Sequence, residues 1–406
     1  MQERVRDENM SKIELIATAT FGLEAVVARE VKNLGYEAIR TENARISFLA
    51  DESAIPRCNL WLRSADRVLV KVGEFTALSY EELFQGTKAL PWEEWLPEDA
   101  CFPVEGKSVH SRLFSVPDCQ SIVKKAIVER LKQRYRTQWF EETGPTYRIE
   151  IALLKDVAIL TIDSSGAGLH KRGYRKLSAP APLKETLAAA LVNLSYWNPE
   201  KVLVDPFCGS GTIPIEAALI GLNIAPGLKR EFVSEKWPQI PAEIWRAARQ
   251  EANDAIRRDL KLKISGTDID EEVLSLARYH CQQAGLGEQL HLQRLPLADL
   301  RNSHKYGCVI CNPPYGERLS EQREVERLYR EMRRVFDALD TWSVYIITAF
   351  PGFEHVYGKK ADRRRKLYNG RIECQFYQYY GPRPPKRRDE TDEVAAPEES
   401  SQCFLL

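Results

Sequence analysis

From about residue 179 onward, strand-like and helix-like segments alternate, and nothing else in the chain restricts its fold as strongly. APLKETLAAALVNLSYW reads as a helix, KVLVDPFCGSGT as a strand running into a Gly-rich turn, and TIPIEAALIGL as the next helix. LKISGTDID (262–270) is a second strand with an acidic end, and EEVLSLARYHCQQAGL is a helix with Gly beyond its end. HLQRL and YGCVIC read as further strands, VERLYREMRRVFDAL as a helix and WSVYIITAF as a strong strand. Parallel strands need long crossovers, and helices supply them. The alternation therefore predicts an α/β domain: a mostly parallel sheet with helices on both faces.

The first 165 residues have a different grammar. Residues 12–40 read as strand, helix, strand, with Leu23, Val26, Val27, Glu30, Val31 and Leu34 on the helical period and Gly35 as its stop. ARISFLA (44–50) and RVLVKVGEF (67–75) are more strands, giving a small α+β unit of about 70 residues. Residues 79–165 repeat that character. SYEELFQGTKALPWEEW starts as a helix, and CFPVEGKSVHS is extended. DCQSIVKKAIVERLKQRY (118–135) is an amphipathic helix with Asp118 as its N-cap and Ile122, Ala126, Ile127 and Leu131 on one face. TYRIEIALLKDVAILTID (146–163) is a hairpin turning near Lys155-Asp156. Neither unit carries a nucleophile or metal cluster, so both read as binding modules.

A length of 406 residues suits two or three domains. With 44% hydrophobic and 29% charged residues, the composition is that of a soluble globular chain. No apolar run approaches a membrane span, and the N-terminus lacks a signal-peptide core, so a cytoplasmic protein is expected. Nine cysteines in this length make no disulfide scaffold. Cys308 and Cys311 form a lone CxxC, but three positions apart on one strand they face opposite ways and read as small buried residues. Residues 382–402 are Pro-rich and charged and read as disordered, and the terminal CFLL matches a prenylation box only as an isolated motif. Formal net charge is zero, yet KKADRRRKLYNGR (359–371) holds seven Lys/Arg against one Asp, and HKRGYRK (170–176) is also basic. Such patches bind phosphate in a neutral protein; each reads equally well as a solvated face.

Two stretches at predicted strand ends carry chemistry. In VLVDPFCGSGT (202–212), Gly209 and Gly211 permit a tight turn and a close ligand. The dinucleotide pattern G-x-G-x-x-G fails at Pro214, the acidic strand end expected about 20 residues on comes far later, and no Walker Lys follows Gly211, which disfavours a phosphate ligand. Instead an acid ends the first strand, and Asp268 and Asp270 end the second after an inserted segment containing EIWRAARQEANDAIRRDL. In CNPPYGERL (311–319), two prolines follow an Asn directly after a strand. Proline fixes φ, removes a ladder N–H and holds its predecessor extended. The segment is a stiff fixture at the sheet edge where ligands of open α/β sheets bind.

An acid at the first strand end, a second acid suited to a ribose diol, a Gly-rich turn and Asn-Pro-Pro-Tyr at the fourth strand together resemble the class I S-adenosylmethionine-dependent methyltransferases acting on exocyclic amines of bases. With FGLEAVVAREVKNLGYE, SIVKKAIVERL, GLHKRGYR, APLKETLAAAL and NPPYGERL, residues 12 to 381 resemble the THUMP-containing guanine-N2 methyltransferases of bacterial 23S rRNA. The resemblance implies a ferredoxin-like unit at 1–70, a THUMP RNA-binding unit at 71–168, a Rossmann-like methyltransferase domain at 169–381 and a disordered tail at 382–406. It implies S-adenosyl-L-methionine as cofactor and no metal. Asp205, Phe207, Gly209, Gly211 and Thr212 are implied around the methionine part, Asp268 on the ribose hydroxyls and Ile269 against the adenine. Asp299 in RLPLADL is the carboxylate available for the adenine amine, a few residues later than the family's acid.

For catalysis the resemblance implies Asn312, Pro313 and Tyr315. An exocyclic amine is a poor nucleophile because its lone pair is delocalised into the ring. The Asn312 side-chain carbonyl and the Pro313 backbone carbonyl can accept from its two N–H bonds, and Tyr315 offers a stacking face. RNA contacts are implied at Lys107, Lys124, Lys125, His170, Lys171, Arg172 and Arg175. Ribosomal RNA is the implied partner, with transfer RNA, a DNA amino-methyltransferase and a non-catalytic ribosome-assembly factor as the competing readings. No separate DNA target-recognition region is evident, and intact Asp205 and Asn312 favour catalysis.

Overall fold

A computed structural model describes residues 12–42, 44–177, 183–316 and 319–385, so the CFLL terminus and most of the expected tail lie outside the described residues. The chain begins with β1 (Ile13–Ala19), α1 (Glu24–Asn33), β2 (Ala38–Glu42), β3 (Arg45–Ala50), α2 (Ala54–Trp61) and β4 (Ala65–Thr76). Next come α3 (Tyr80–Ala89), β5 (Val104–Val109), α4 (Val116–Tyr135), β6 (Arg148–Leu154) and β7 (Val157–Asp163). The β6–β7 hairpin turns at Lys155 and Asp156, both at positive φ, 50° and 65°. That left-handed pair matches the twist of two antiparallel strands.

All seven N-terminal strands form one sheet, ordered β2-β3-β1-β4-β7-β6-β5. The expected division at residue 70 falls inside β4, which pairs with β1 along one edge and with β7 along the other. The two N-terminal units therefore share a continuous sheet. Helix α4 starts earlier than expected. Its N-cap is the extended Ser115 and a proline occupies its first turn, so Asp118 lies inside that turn. There its charge complements the helix dipole.

The second half contains α5 (Glu185–Asn193), β8 (Leu203–Asp205), α6 (Thr212–Gly221), α7 (Ala242–Asp254), β9 (Ile264–Asp268), α8 (Glu271–Ala284) and β10 (Leu290–Arg294). It closes with β11 (Cys308–Cys311), α9 (Leu319–Asp337), β12 (Ser343–Thr348), α10 (Phe353–Tyr357), β13 (Arg363–Asn369) and β14 (Ile372–Tyr379). Its sheet is ordered β10-β9-β8-β11-β12-β14-β13. The first five strands are parallel, and β14 and β13 add antiparallel pairs. Cys308 and Cys311 pack into apolar clusters on opposite faces of this sheet. The basic run at 359–371 contains β13, an edge strand with mostly exposed Arg and Lys. Charge on an edge strand blocks pairing with other chains.

The insertion between α6 and β9 joins the two halves. Phe232, Trp237, Ile240, Trp245, Ala248 and Ala252 belong to the same apolar core as the N-terminal sheet. Trp237 stacks on Tyr147 at 4.7 Å, and its indole N–H donates to the Thr146 carbonyl at 3.0 Å. Arg57 on α2 grips Glu251 on α7 with two hydrogen bonds of 3.0 and 2.9 Å. Burial of large apolar groups across a junction stabilises it, each group by about 1.5–3 kcal/mol.

Candidate active site

Three residues lie along the C-terminal edge of the second sheet because their strands are neighbours. Asp268 ends β9, Asp205 ends β8 and Asn312 follows β11, in the order β9-β8-β11. The chain passes from β8 to β9 on one side and places β11 on the other, so strand order reverses here, which is where open α/β sheets bind ligands.

Asp205 is 1% exposed. Its Oδ1 accepts the Phe207 N–H at 3.1 Å. Burial pushes its carboxyl well above the usual range, the Phe207 N–H opposes this, and the nearby Asp268 charge adds to the rise. No ion pair to Asp205 exists among the described residues. Asp268 Oδ2 accepts the Gly209 N–H at 2.9 Å and its Oδ1 accepts the Asp270 N–H at 3.1 Å. One carboxylate thus ties the Gly-rich turn to the neighbouring strand. Gly209 has φ of 50°. Gly211, at φ 83°, begins α6, and a Cβ there would stand 3.2 Å from the Ala277 Cβ of α8. Glycine here serves both backbone conformation and helix approach.

Phe207 is half-buried against the cluster under β11 and β12. Thr212 is buried, and its hydroxyl accepts a hydrogen bond from Arg175. Ile269 is 64% exposed beside Asp268. Asp299 closes a single 3-10 turn, Leu297–Asp299, after β10 and is exposed. Pro313 is buried and Tyr315 half-buried. The Asn312 Oδ1 is buried with no hydrogen-bond partner among the described residues. Leaving such an acceptor unpaired costs about 1–3 kcal/mol.

The expected RNA contacts are dispersed. Lys107 pairs with Glu150 at 2.6 Å on β6. Lys124 bonds the Phe102 carbonyl at 3.0 Å and Glu142 at 2.6 Å, so it ties α4 to a loop. Lys125 is exposed, 5.9 Å from the Phe84 ring. The basic segment at 170–175 is corrected most. Arg172 is buried, donating to Glu216 at 3.4 Å, to the Leu169 carbonyl at 2.8 Å and to the Arg63 carbonyl. Tyr174 also donates to Glu216, at 3.2 Å. Arg175 contacts Thr212, Glu185 and the Leu183 carbonyl. Burial, then the Lys184 charge, pushes the His170 imidazole down to about 4, so it is neutral near pH 7. Only Lys171 of these four is exposed. The segment is a strap across α6, and its two arginines are answered by Glu185 of α5 and Glu216 of α6 rather than by solvent.

The strap involves residues that sequence reading passed over. Glu216 is fully buried under Arg172 and Tyr174. His280 on α8 spans the Ser210 carbonyl at 3.1 Å and the Leu177 carbonyl at 3.0 Å, tying the Gly-rich turn to the strap. Tyr329 on α9 donates to the Pro314 carbonyl at 2.9 Å. The only signal for these was helical periodicity, which does not distinguish a buried polar partner from core.

Residues 172–378 match the family described as RMKL-like, methyltransferase domain. Residues 14–69 match the RlmL ferredoxin-like domain and 77–163 the THUMP domain. YpsC of Bacillus subtilis, named provisionally as an RNA methyltransferase, is 52% identical over 381 residues, which are 93% of this chain and 99% of that protein. The ribosomal RNA large subunit methyltransferase K/L of Photobacterium profundum is 34% identical over 90% of this chain, which spans only 52% of that relative. A Listeria monocytogenes crystal structure titled a predicted N6-adenine-specific DNA methylase is 54% identical, with TM-score 0.88, covering 92% of this chain and 97% of that one. SMU.472, named provisionally as a methyltransferase and crystallised with SAH, is 46% identical with TM-score 0.88, over 92% of this chain and 99% of that one.

Proposed function

Because the chain belongs to the family of RMKL-like methyltransferases, we propose that it transfers a methyl group from S-adenosylmethionine to the exocyclic N2 amine of a guanosine in large-subunit ribosomal RNA. The observation that carries this reading is the buried Asn312 Oδ1, without a hydrogen-bond partner among the described residues, after β11 at the strand-order reversal. An acceptor in that state suits an arriving N–H donor.

The residues present fit the cofactor. Asp205 is a buried carboxyl without a cationic partner among the described residues, which suits an ammonium group. Asp268 suits a ribose diol, and the exposed Ile269 beside it suits an adenine face. Gly209 and Gly211 allow close approach of the backbone. When bound, S-adenosylmethionine supplies an electrophilic methyl group on a sulfonium centre.

Asn312 Oδ1 and the Pro313 carbonyl orient the two amine N–H bonds and draw the nitrogen toward tetrahedral geometry. Tyr315 supports the base plane. The nitrogen held in this way would present its lone pair to the methyl group that the bound cofactor would supply, and the surplus N–H proton would leave to water. The rest is proximity in near-attack geometry. The THUMP domain and the exposed Lys125 and Lys171 are assigned to RNA docking.

Nucleoside analysis of RNA and DNA from wild-type and deletion strains tests the reading. Loss of N2-methylguanosine from 23S rRNA is expected. Loss from tRNA would move the substrate, and loss of N6-methyladenine from DNA alone would overturn the assignment.

A further inference from the structure

Asn312 and Pro313 can orient an amine only if their own backbone is held. The segment is poorly equipped to hold itself, because Pro313 and Pro314 lack N–H donors. The restraint comes from α9. Tyr329 is fully buried and its hydroxyl donates to the Pro314 carbonyl at 2.9 Å. The same hydroxyl lies 2.9 Å from Thr348 Oγ1 at the end of β12, the strand paired with β11.

Proton bookkeeping gives this chain one direction. A carbonyl only accepts, so the single hydroxyl proton of Tyr329 goes to Pro314. Thr348 must then donate to Tyr329. The Thr348 oxygen in turn accepts the Phe350 N–H at 3.0 Å. Phe350, Thr348, Tyr329 and Pro314 thus form one polarised line from the β12 end to the turn, and such lines strengthen cooperatively. Phe350 and Phe353 meet the Tyr329 ring edge-on at 5.3 and 4.9 Å, which fixes where the hydroxyl points.

We propose that Tyr329 is a positioning residue, whose hydroxyl sets the Pro313–Pro314 backbone and thereby the alignment of the Asn312 and Pro313 acceptors with the target amine. The inference rests on the function proposed above. Its signature is a slower chemical step with unchanged binding, since the contact improves alignment and touches neither RNA nor cofactor.

The test uses the full chain and the variants Tyr329→Phe, Thr348→Val, Tyr345→Phe and Asn312→Ala. Tyr345 is an equally buried tyrosine of β12 in the cluster on the opposite face, and its hydroxyl accepts from the Tyr196 N–H at 2.8 Å. Tyr345→Phe is the control for loss of a buried hydroxyl. Single-turnover methyl transfer, cofactor and RNA affinity, and Tm are measured for each. Tyr329→Phe is expected to slow transfer about three- to tenfold with both affinities unchanged, as for one lost hydrogen bond. Tyr345→Phe should lower Tm comparably and leave the rate alone. If Tyr329→Phe does not fold, Thr348→Val decides by the same criterion. Equal rates for Tyr329→Phe and Tyr345→Phe, with Asn312→Ala strongly impaired, overturn the positioning role alone. A wild-type rate for Asn312→Ala overturns the underlying reading.

Discussion

Replacing Arg172 with Met separates a strap from an RNA-contact surface. Arg172 is 4% exposed, and its guanidinium donates to Glu216 and to two backbone carbonyls. Met keeps much of the volume and removes every donor. Glu216, fully buried, then retains the Tyr174 hydroxyl at 3.2 Å and the Coulombic influence of Arg63. Removing one partner of a buried ion pair costs about 3–5 kcal/mol. The pair distances of 3.4 Å place this case toward the lower end. If the two halves, which share an aromatic core, unfold together, a loss of about 3–4 kcal/mol in a chain this long is roughly 3–5 °C in Tm. Calorimetry of wild type, Arg172→Met, Glu216→Leu and the double variant reads it. The double variant should recover much of the loss, because the Arg172–Glu216 pair is then removed as a unit and Arg63 keeps the Glu30 charge. A surface arginine predicts the opposite: little change in Tm and weaker RNA binding with a shallower salt dependence. That pattern would refute the strap.

Asp268→Ala should weaken S-adenosylmethionine binding about 10- to 100-fold, from the lost charged hydrogen bonds. It also frees the Gly209 N–H from its tie; calorimetric titration with an unchanged Kd would remove Asp268 from the site. His170 gives a pH test. Its folded pKa, about 4, lies below the ordinary 6.5, so the unfolded chain binds the extra proton and stability falls as pH drops through that window. Between pH 6.5 and 4 the Tm of wild type should therefore decline more steeply than that of His170→Gln, and parallel profiles would show that the imidazole is not held neutral by burial.

What was legible in the sequence was local and steric. Glycine in the turn after β8 frees φ, the double proline fixes φ and removes donors, and Lys155-Asp156 interrupts an apolar β pattern, so each marks its place without reference to distant residues. The strand–helix alternation likewise gave the parallel part of the second sheet. The unread parts depend on partners far along the chain. Arg172 looks like a solvated cation until Glu216, 44 residues away, is brought under it. The insertion at 222–262 looks like an appendage until Tyr147 meets Trp237. Helix α2 was missed because six of its eight residues are buried, which leaves no amphipathic period. Strands β13 and β14 were missed because edge charges hide the alternation of the first.

The central claim is that Asn312 works in the chemical step. Its Oδ1 is buried and unpaired among the described residues, and an oriented acceptor there stabilises charge only as the methyl group arrives. Single-turnover transfer to undermethylated ribosomal RNA from a deletion strain, with the product nucleoside identified, measures this directly. Asn312→Ala should keep cofactor and RNA affinity while the rate falls about 10²–10³-fold, by analogy with loss of one preorganised oxyanion-hole donor. A wild-type rate of N2-methylguanosine formation by Asn312→Ala would contradict the account and leave the Asn-Pro-Pro-Tyr segment as a strand terminator only.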